Sequence, residues 1–123
     1  MNNRIIKFRI FDIRNKFFLP VVESDTYSLQ YFLNRPNEYI AIQFTGFKDK
    51  NGIDIYEGDI LKYSRTYEES EGGQIGDDIG EVYFKNGCFR FDKENLCEYL
   101  PINRDSKLDL EIIGNIFQNP ELL

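Results

Sequence analysis

"KDKNGIDIYEGDI", residues 48–60, decides how this chain folds. Asn51-Gly52 is a tight-turn signal, because both residue types tolerate positive φ. Gly58 marks a second corner, and Asp59 beside it is placed to accept backbone N–H groups there. Around these corners Ile53, Ile55 and Ile60 supply apolar side chains for a core. The stretch reads as a connector that steers one strand into the next. Tyr56, read as exposed beside Glu57 and Asp59, is also a candidate contact site, since aromatic residues dominate interface energetics.

Working outward, "YIAIQFT" (39–45) alternates, with Ile40, Ile42 and Phe44 directed inward. "ILKYS" (60–64) continues past the second corner as a strand. In "GEVYFKNGCFRFD" (80–92), a two-residue turn at Asn86-Gly87 sets Phe84 opposite Phe89 and Val82 opposite Phe91 on one face. Tyr83 then meets Arg90 on the other. "LDLEII" (108–113) is the last strand and ends at Gly114. "NIFQNPELL" (115–123) is an apolar tail that packs back on the core.

Near the start, "RIIKFRIFD" (4–12) points Ile6, Phe8 and Ile10 one way and Lys7 and Arg9 the other, as a half-buried strand does. "IRNK" (13–16) turns, and "FFLPVV" (17–22) returns with Pro20 at an edge or strand end. In "DTYSLQYFL" (25–33), Tyr27, Leu29, Tyr31 and Leu33 fit a strand, while Leu29, Phe32 and Leu33 fit a short helix; the strand is preferred. "NRPNE" (34–38) is a loop. "DKENLCEYLP" (92–101) reads as a short helix with Leu96, Tyr99 and Leu100 on its apolar stripe, closed by Pro101. The pattern is a meander of short strands with little helix, as in a small barrel or sandwich.

The bulk properties agree. At 123 residues the chain is a single domain, with 11 Phe and 8 Tyr for its core. The net charge of −6 is uneven. Residues 64–80 carry −4, with Glu68, Glu69, Glu71, Asp77 and Asp78 against Arg65. That segment reads as a mobile acidic loop. The first 16 residues carry +4. Overall acidity argues against generic nucleic-acid binding. No signal peptide and no run of about 18 apolar residues is seen, so a cytoplasmic protein without a membrane span is expected. Two cysteines, Cys88 and Cys97, make neither a disulfide framework nor a four-cysteine zinc site.

"IQFTGFKDKNGIDIYEGDIL" (42–61), "EIIGNIFQNPELL" (111–123) and the opening "IIKFRIFD" with its basic turn resemble the YopX family of phage and prophage proteins. The resemblance covers nearly the whole chain; the acidic loop and residues 94–107 match weakly. Residue 11 is Phe where the family often has Trp, an apolar aromatic exchange. The resemblance implies a mainly β fold with an SH3-like barrel, here as a single YopX-like domain over 1–123. Within it, 1–38 form an N-terminal strand segment with a β-hairpin extension. Residues 39–123 form the barrel-like segment with one short helix. The resemblance implies phage or prophage origin and a host-cell location; it implies no reaction, cofactor or partner.

The chain has no histidine, which removes Ser-His and Cys-His nucleophile activation and most zinc sites. Asp54, Glu57 and Asp59 are the one acid cluster suited to carboxylate or metal-dependent hydrolysis, but Asp59 is better read as a turn-fixing group. "EESEGGQIGDD" (68–78) lacks calcium-loop spacing, and neither GxGxxG nor GxxxxGK occurs. Cys88 follows the hairpin turn beside Lys85 and Arg90 with no base partner; Cys97 is tucked beside the short helix. The basic strand with Arg4, Lys7 and Arg9 interleaves charge with Phe8 and Phe11, a pattern suited to nucleic acid or to a solvated strand face. The sequence thus favours a non-enzymatic protein-interaction module without catalytic, cofactor or metal sites. Its candidate surface is Tyr56, Glu57, Asp59, Arg4, Lys7 and Arg9. The alternatives are a nucleic-acid-binding accessory protein and a carboxylate-based hydrolase.

Overall fold

A computed structural model of the chain describes residues 5–20, 22–23, 27–66, 75–91, 94–95 and 110–123. Two curled antiparallel sheets, each of five strands among the described residues, form a small β half-barrel. Strand β1 (Lys7–Asp12) is central in the first sheet. On one flank it pairs with β2 (Phe17–Phe18) and then β3 (Val22–Glu23), and on the other with β4 (Tyr39–Lys48). Leu19-Pro20 separates β2 from β3, as expected for proline on an edge. β5 (Asp54–Tyr56) completes this sheet beside β4.

The second sheet runs β10–β6–β7–β8–β9, with β6 spanning Asp59–Thr66, β7 Ile75–Lys85, β8 Cys88–Phe91, β9 Glu94–Asn95 and β10 Leu110–Asn115. The Gly58 corner carries the chain from β5 in one sheet to β6 in the other. The β7–β8 hairpin has the expected register, Val82 opposite Phe91, Tyr83 opposite Arg90 and Phe84 opposite Phe89. Asn86 and Gly87 both take positive φ, 55° and 81°, the demand of a type I′ turn.

Five expectations need correction. Residues 27–33 form helix α1 (Tyr27–Leu33), not a strand. Its aromatics pack across the sheet edge, Phe32 edge-on to Tyr39 at 4.8 Å between ring centroids and Tyr31 to Tyr39 at 6.2 Å. Helical spacing brings Tyr31 and Phe32 to one strand residue, which outweighs an alternation that had no partner strand. The acidic loop is shorter than 64–80, because Ser64, Arg65 and Thr66 pair with Asp77, Gly76 and Ile75. Glu94 and Asn95 extend the β8 ladder instead of starting a helix; the apolar stripe Leu96, Tyr99 and Leu100, with Cys97, lies outside the described residues. The last strand does not stop at Gly114 but passes through it to Asn115, with a register shift between Ile112 and Gly114. Ile53 is exposed, because it sits on the outside of the 49–53 turn, whereas Ile55 and Ile60 are fully buried.

The core has two parts. Ile55, Leu61, Tyr63, Val82, Phe91 and Leu110 fill the second sheet's concave side, with Phe89 joining them. Ile42, Phe44 and Tyr56 form a smaller cluster with Phe18, Ile40 and Phe117 around it. Alternation splits β5 between the two, Ile55 facing one cluster and Tyr56 the other.

Candidate interaction surface

The corner is built by side chains satisfying backbone groups. Asp49 is buried and its Oδ1 accepts from the Asn51 and Ile53 N–H groups, both at 2.9 Å. Its Oδ2 accepts from Ile112 N–H at 3.1 Å, tying the turn to β10. The Thr45 hydroxyl donates to the Ile55 carbonyl at 2.8 Å and accepts from Phe47 N–H. Glu57 Oε1 accepts from Gln43 N–H, while its own N–H donates to the Gln43 carbonyl. Asp59 is 1% exposed, and its Oδ2 accepts from Tyr56 N–H at 2.8 Å, the turn role its place beside Gly58 suggests.

The basic strand meets this corner. The Arg9 guanidinium donates to Asp59 Oδ1 at 2.8 Å and lies between two rings, 4.1 Å from the Phe18 centroid and 4.8 Å from that of Tyr56. Lys7 Nζ sits 4.6 Å from the Phe44 ring centroid and pairs with Asp54 Oδ2. Lys48 Nζ pairs with the other Asp54 oxygen at 2.8 Å. The face of β1 carrying Lys7 and Arg9 is therefore not a solvated one. Its next residue, Phe11, is buried against Phe18 and Phe117 at 5.0 and 5.1 Å. Ile10 is fully buried on the expected inward face, so both faces of β1 are covered, the second because the corner and the C-terminal tail fold over the side that periodicity assigns to water.

Electrostatics follow the packing. Hydrogen bonds from Lys48 and Lys7 hold the Asp54 carboxyl below its ordinary range. Burial pushes Asp59 the other way, against the backbone N–H of Tyr56 and the charge of Arg9. Burial also raises the Tyr56 phenol. Tyr56 is only 4% exposed, so it lacks the exposure its sequence context suggests. The reason is that its ring is needed to cover Phe44 and Arg9.

Of the candidate residues, Lys7, Arg9, Tyr56 and Asp59 are brought into one interlocked layer, and Glu57 flanks it; Arg4 lies outside the described residues. Asp54, Glu57 and Asp59 do not converge, for each is held by a different set of partners. Among the described residues no three His, Cys, Asp or Glu side chains gather as a metal site. Cys88 is half-buried, and its Sγ donates to the Lys85 carbonyl at 3.6 Å.

An open groove of about 300 Å³ lies beside this layer. Phe44 and Phe89 line it from opposite sheets, with Ile5, Thr45, Gly46 and Lys48 around them. Sequence reasoning placed Phe44 and Phe89 in the core and missed the groove, since no local signal shows where two sheets part. It also missed Asp49, although an Asp two residues before Asn-Gly is a legible turn signal.

A family model described as YopX protein matches residues 11–123. The fold is similar to the crystal structure of protein EF1440 from Enterococcus faecalis, with a TM-score of 0.66 at 24% identity, over 98% of this chain and 99% of that one. No curated protein matches the chain.

Proposed function

The chain belongs to the YopX family, and from that premise we propose that it is a non-enzymatic protein-interaction module, encoded by a phage or prophage and working in the host cytoplasm. The observation that carries this reading is the groove lined by Phe44 and Phe89. Among the described residues its lining joins the apolar Ile5, Phe44 and Phe89 to the polar Gln43 and Thr45, and its charged member, Lys48, has a side chain 62% exposed. A partly apolar cleft beside an exposed charge offers a partner both a pocket and an orienting contact. Further support comes from the acids of the 54–59 stretch, whose oxygens serve Lys7, Lys48, Arg9 and backbone N–H groups. Lys7 and Arg9 are likewise committed to carboxylates, which weakens the case for phosphate contacts through them.

The test is affinity purification of the full-length protein from phage-infected or prophage-induced cells, with mass spectrometry and nucleic-acid sequencing of the same eluate. A specific protein partner retained in moderate salt is expected. Recovery of nucleic acid alone, in a salt-sensitive manner, or a demonstrated turnover without any protein partner, overturns the reading.

A further inference from the structure

The tripeptide Lys-Asn-Gly occurs twice, at 50–52 and at 85–87. Asparagine followed by glycine is prone to spontaneous loss of its side-chain amide, because glycine has no side chain to hinder ring closure. The glycine backbone nitrogen gives up its proton and attacks the asparagine Cγ. Identical tripeptides react alike in an unfolded chain. In the fold both are exposed, with nothing within 4 Å of where a Cβ would stand on either glycine. What separates them is the surroundings of the attacking nitrogen.

At the first turn the Gly52 N–H donates to the Asp49 carbonyl at 3.0 Å. The buried Asp49 carboxylate accepts from the N–H groups on either side of Gly52, those of Asn51 and Ile53, and from Ile112 N–H. Freeing the Gly52 nitrogen therefore breaks several hydrogen bonds, and a negative charge stands beside the atom that must become an anion. Lys50, the cation of this tripeptide, is paired with Glu111 at 3.1 Å. At the second turn the Gly87 N–H has no acceptor among the described residues. Lys85 has no carboxylate partner among them. Arg90 Nε donates to the Lys85 carbonyl at 3.3 Å, which holds a second cation against the turn. Neighbouring positive charge favours the anionic nitrogen.

We infer that Asn86 is a self-modification site, which converts to aspartate and isoaspartate in the folded protein while Asn51 persists. The Gly87 N–H proton passes to hydroxide, the nitrogen bonds to Asn86 Cγ, and the side-chain nitrogen takes a proton from water and leaves as ammonia, which regenerates the hydroxide. Water then opens the cyclic imide. Cleavage of the bond from nitrogen to Cγ leaves aspartate. Cleavage of the bond from nitrogen to the main-chain carbonyl carbon leaves isoaspartate, with the chain routed through Cβ and Cγ. The sum is amide plus water giving acid plus ammonia, with nothing oxidised or reduced. Aspartate tolerates the positive φ at this position and keeps the turn. Isoaspartate adds a backbone carbon to a two-residue turn that sets Phe84 opposite Phe89 and Val82 opposite Phe91, and so loosens the hairpin. This chemistry is independent of the interaction-module reading.

The test holds the full-length protein at mildly alkaline pH and follows both sites by peptide mapping and mass spectrometry, with isoaspartate detected by enzymatic methylation. Conversion at Asn86 should outrun that at Asn51 by roughly tenfold or more, and the two should react alike in urea-unfolded protein. Lys85→Glu, at an exposed position, should slow the Asn86 reaction severalfold relative to its rate in urea, with an unchanged thermal midpoint. Amide exchange in the β7–β8 ladder should be faster in the isoaspartate fraction than in the unreacted protein. The inference is overturned if Asn51 reacts as fast as Asn86 in the folded protein, or if neither reacts there while both react in urea. It is equally overturned if the folded-state rate at Asn86 ignores Lys85→Glu.

Discussion

Gly58 shows how much one residue position carries. Its φ is 84°, and a Cβ there would stand 2.7 Å from Phe117 Cε2. Gly58→Ala is expected to lose about 1–3 kcal/mol, read as a drop in the urea midpoint at constant slope. The carboxylates make a second prediction. Hydrogen bonds lower Asp54, through Lys48 and Lys7, and Asp12, through the Asn15 backbone N–H. Their stabilising contributions are complete above the ordinary value of 3.8 and vanish as pH falls through the lowered folded-state values. Asp59 has the opposite sign: raised by burial, its contribution is greatest below 3.8 and declines as pH rises through its folded-state value. Urea midpoints across about pH 2 to 6 should therefore show a shallower acid limb in Asp54→Asn and a steeper one in Asp59→Asn. An Asp54→Asn limb that matches the wild type would refute the assignment. Both glycine corners and the role of Asp59 were legible from sequence, because turn chemistry is local. The exposure of Tyr56 was not, because only the packed neighbours decide it.

Among the elements, the β7–β8 hairpin was the most legible. Its register follows from a two-residue turn and a period-two pattern, both contained in a dozen residues. Replacing Gly87 with Ala puts a side chain at φ 81° and should cost about 1 kcal/mol. The same hairpin separates two residues that sequence treats alike. Phe91 is fully buried and Phe84 is 54% exposed, although Phe89 directly opposite Phe84 is buried. Phe91→Ala should lose about 3–5 kcal/mol, whereas Phe84→Ser should stay within about 0.5 kcal/mol. Comparable losses from the two in chemical denaturation would contradict the burial. Helix α1 was illegible for the converse reason. Its seven residues fit both periods, and an aromatic contact with Tyr39 decides between them.

Across the whole molecule, the decisive arrangement is the clamp of the N-terminal strand onto the Gly58 corner. Arg9 and Asp59 are 50 residues apart in sequence and 2.8 Å apart in space, with Asp59 almost wholly buried. A charge-assisted pair of this kind contributes about 2–3 kcal/mol when one partner is removed. Arg9→Met and Asp59→Asn should each destabilise by that amount, and the double variant by clearly less than their sum. Strict additivity in the double-mutant cycle would show the pair to be uncoupled. Much of "FTGFKDKNGIDIYEGD" (44–59) is consumed in folding, Asp49, Thr45, Glu57 and Asp59 by hydrogen bonds to backbone and Gly58 by the approach of Phe117.

The strands β1, β4, β6 and β8, the turns at Asn51-Gly52 and Asn86-Gly87, one strand register and membership of the family were readable from residues alone, because each depends on neighbours within a few positions or on a shared motif. The covering of both faces of β1, the direction of Tyr56, the pairing of acids with cations and the place where the two sheets part were decided only in three dimensions. Those outcomes depend on contacts between segments some 50 residues apart, as Arg9 and Asp59 are. Alternation marks two faces of a strand but carries no information on what will pack against either one.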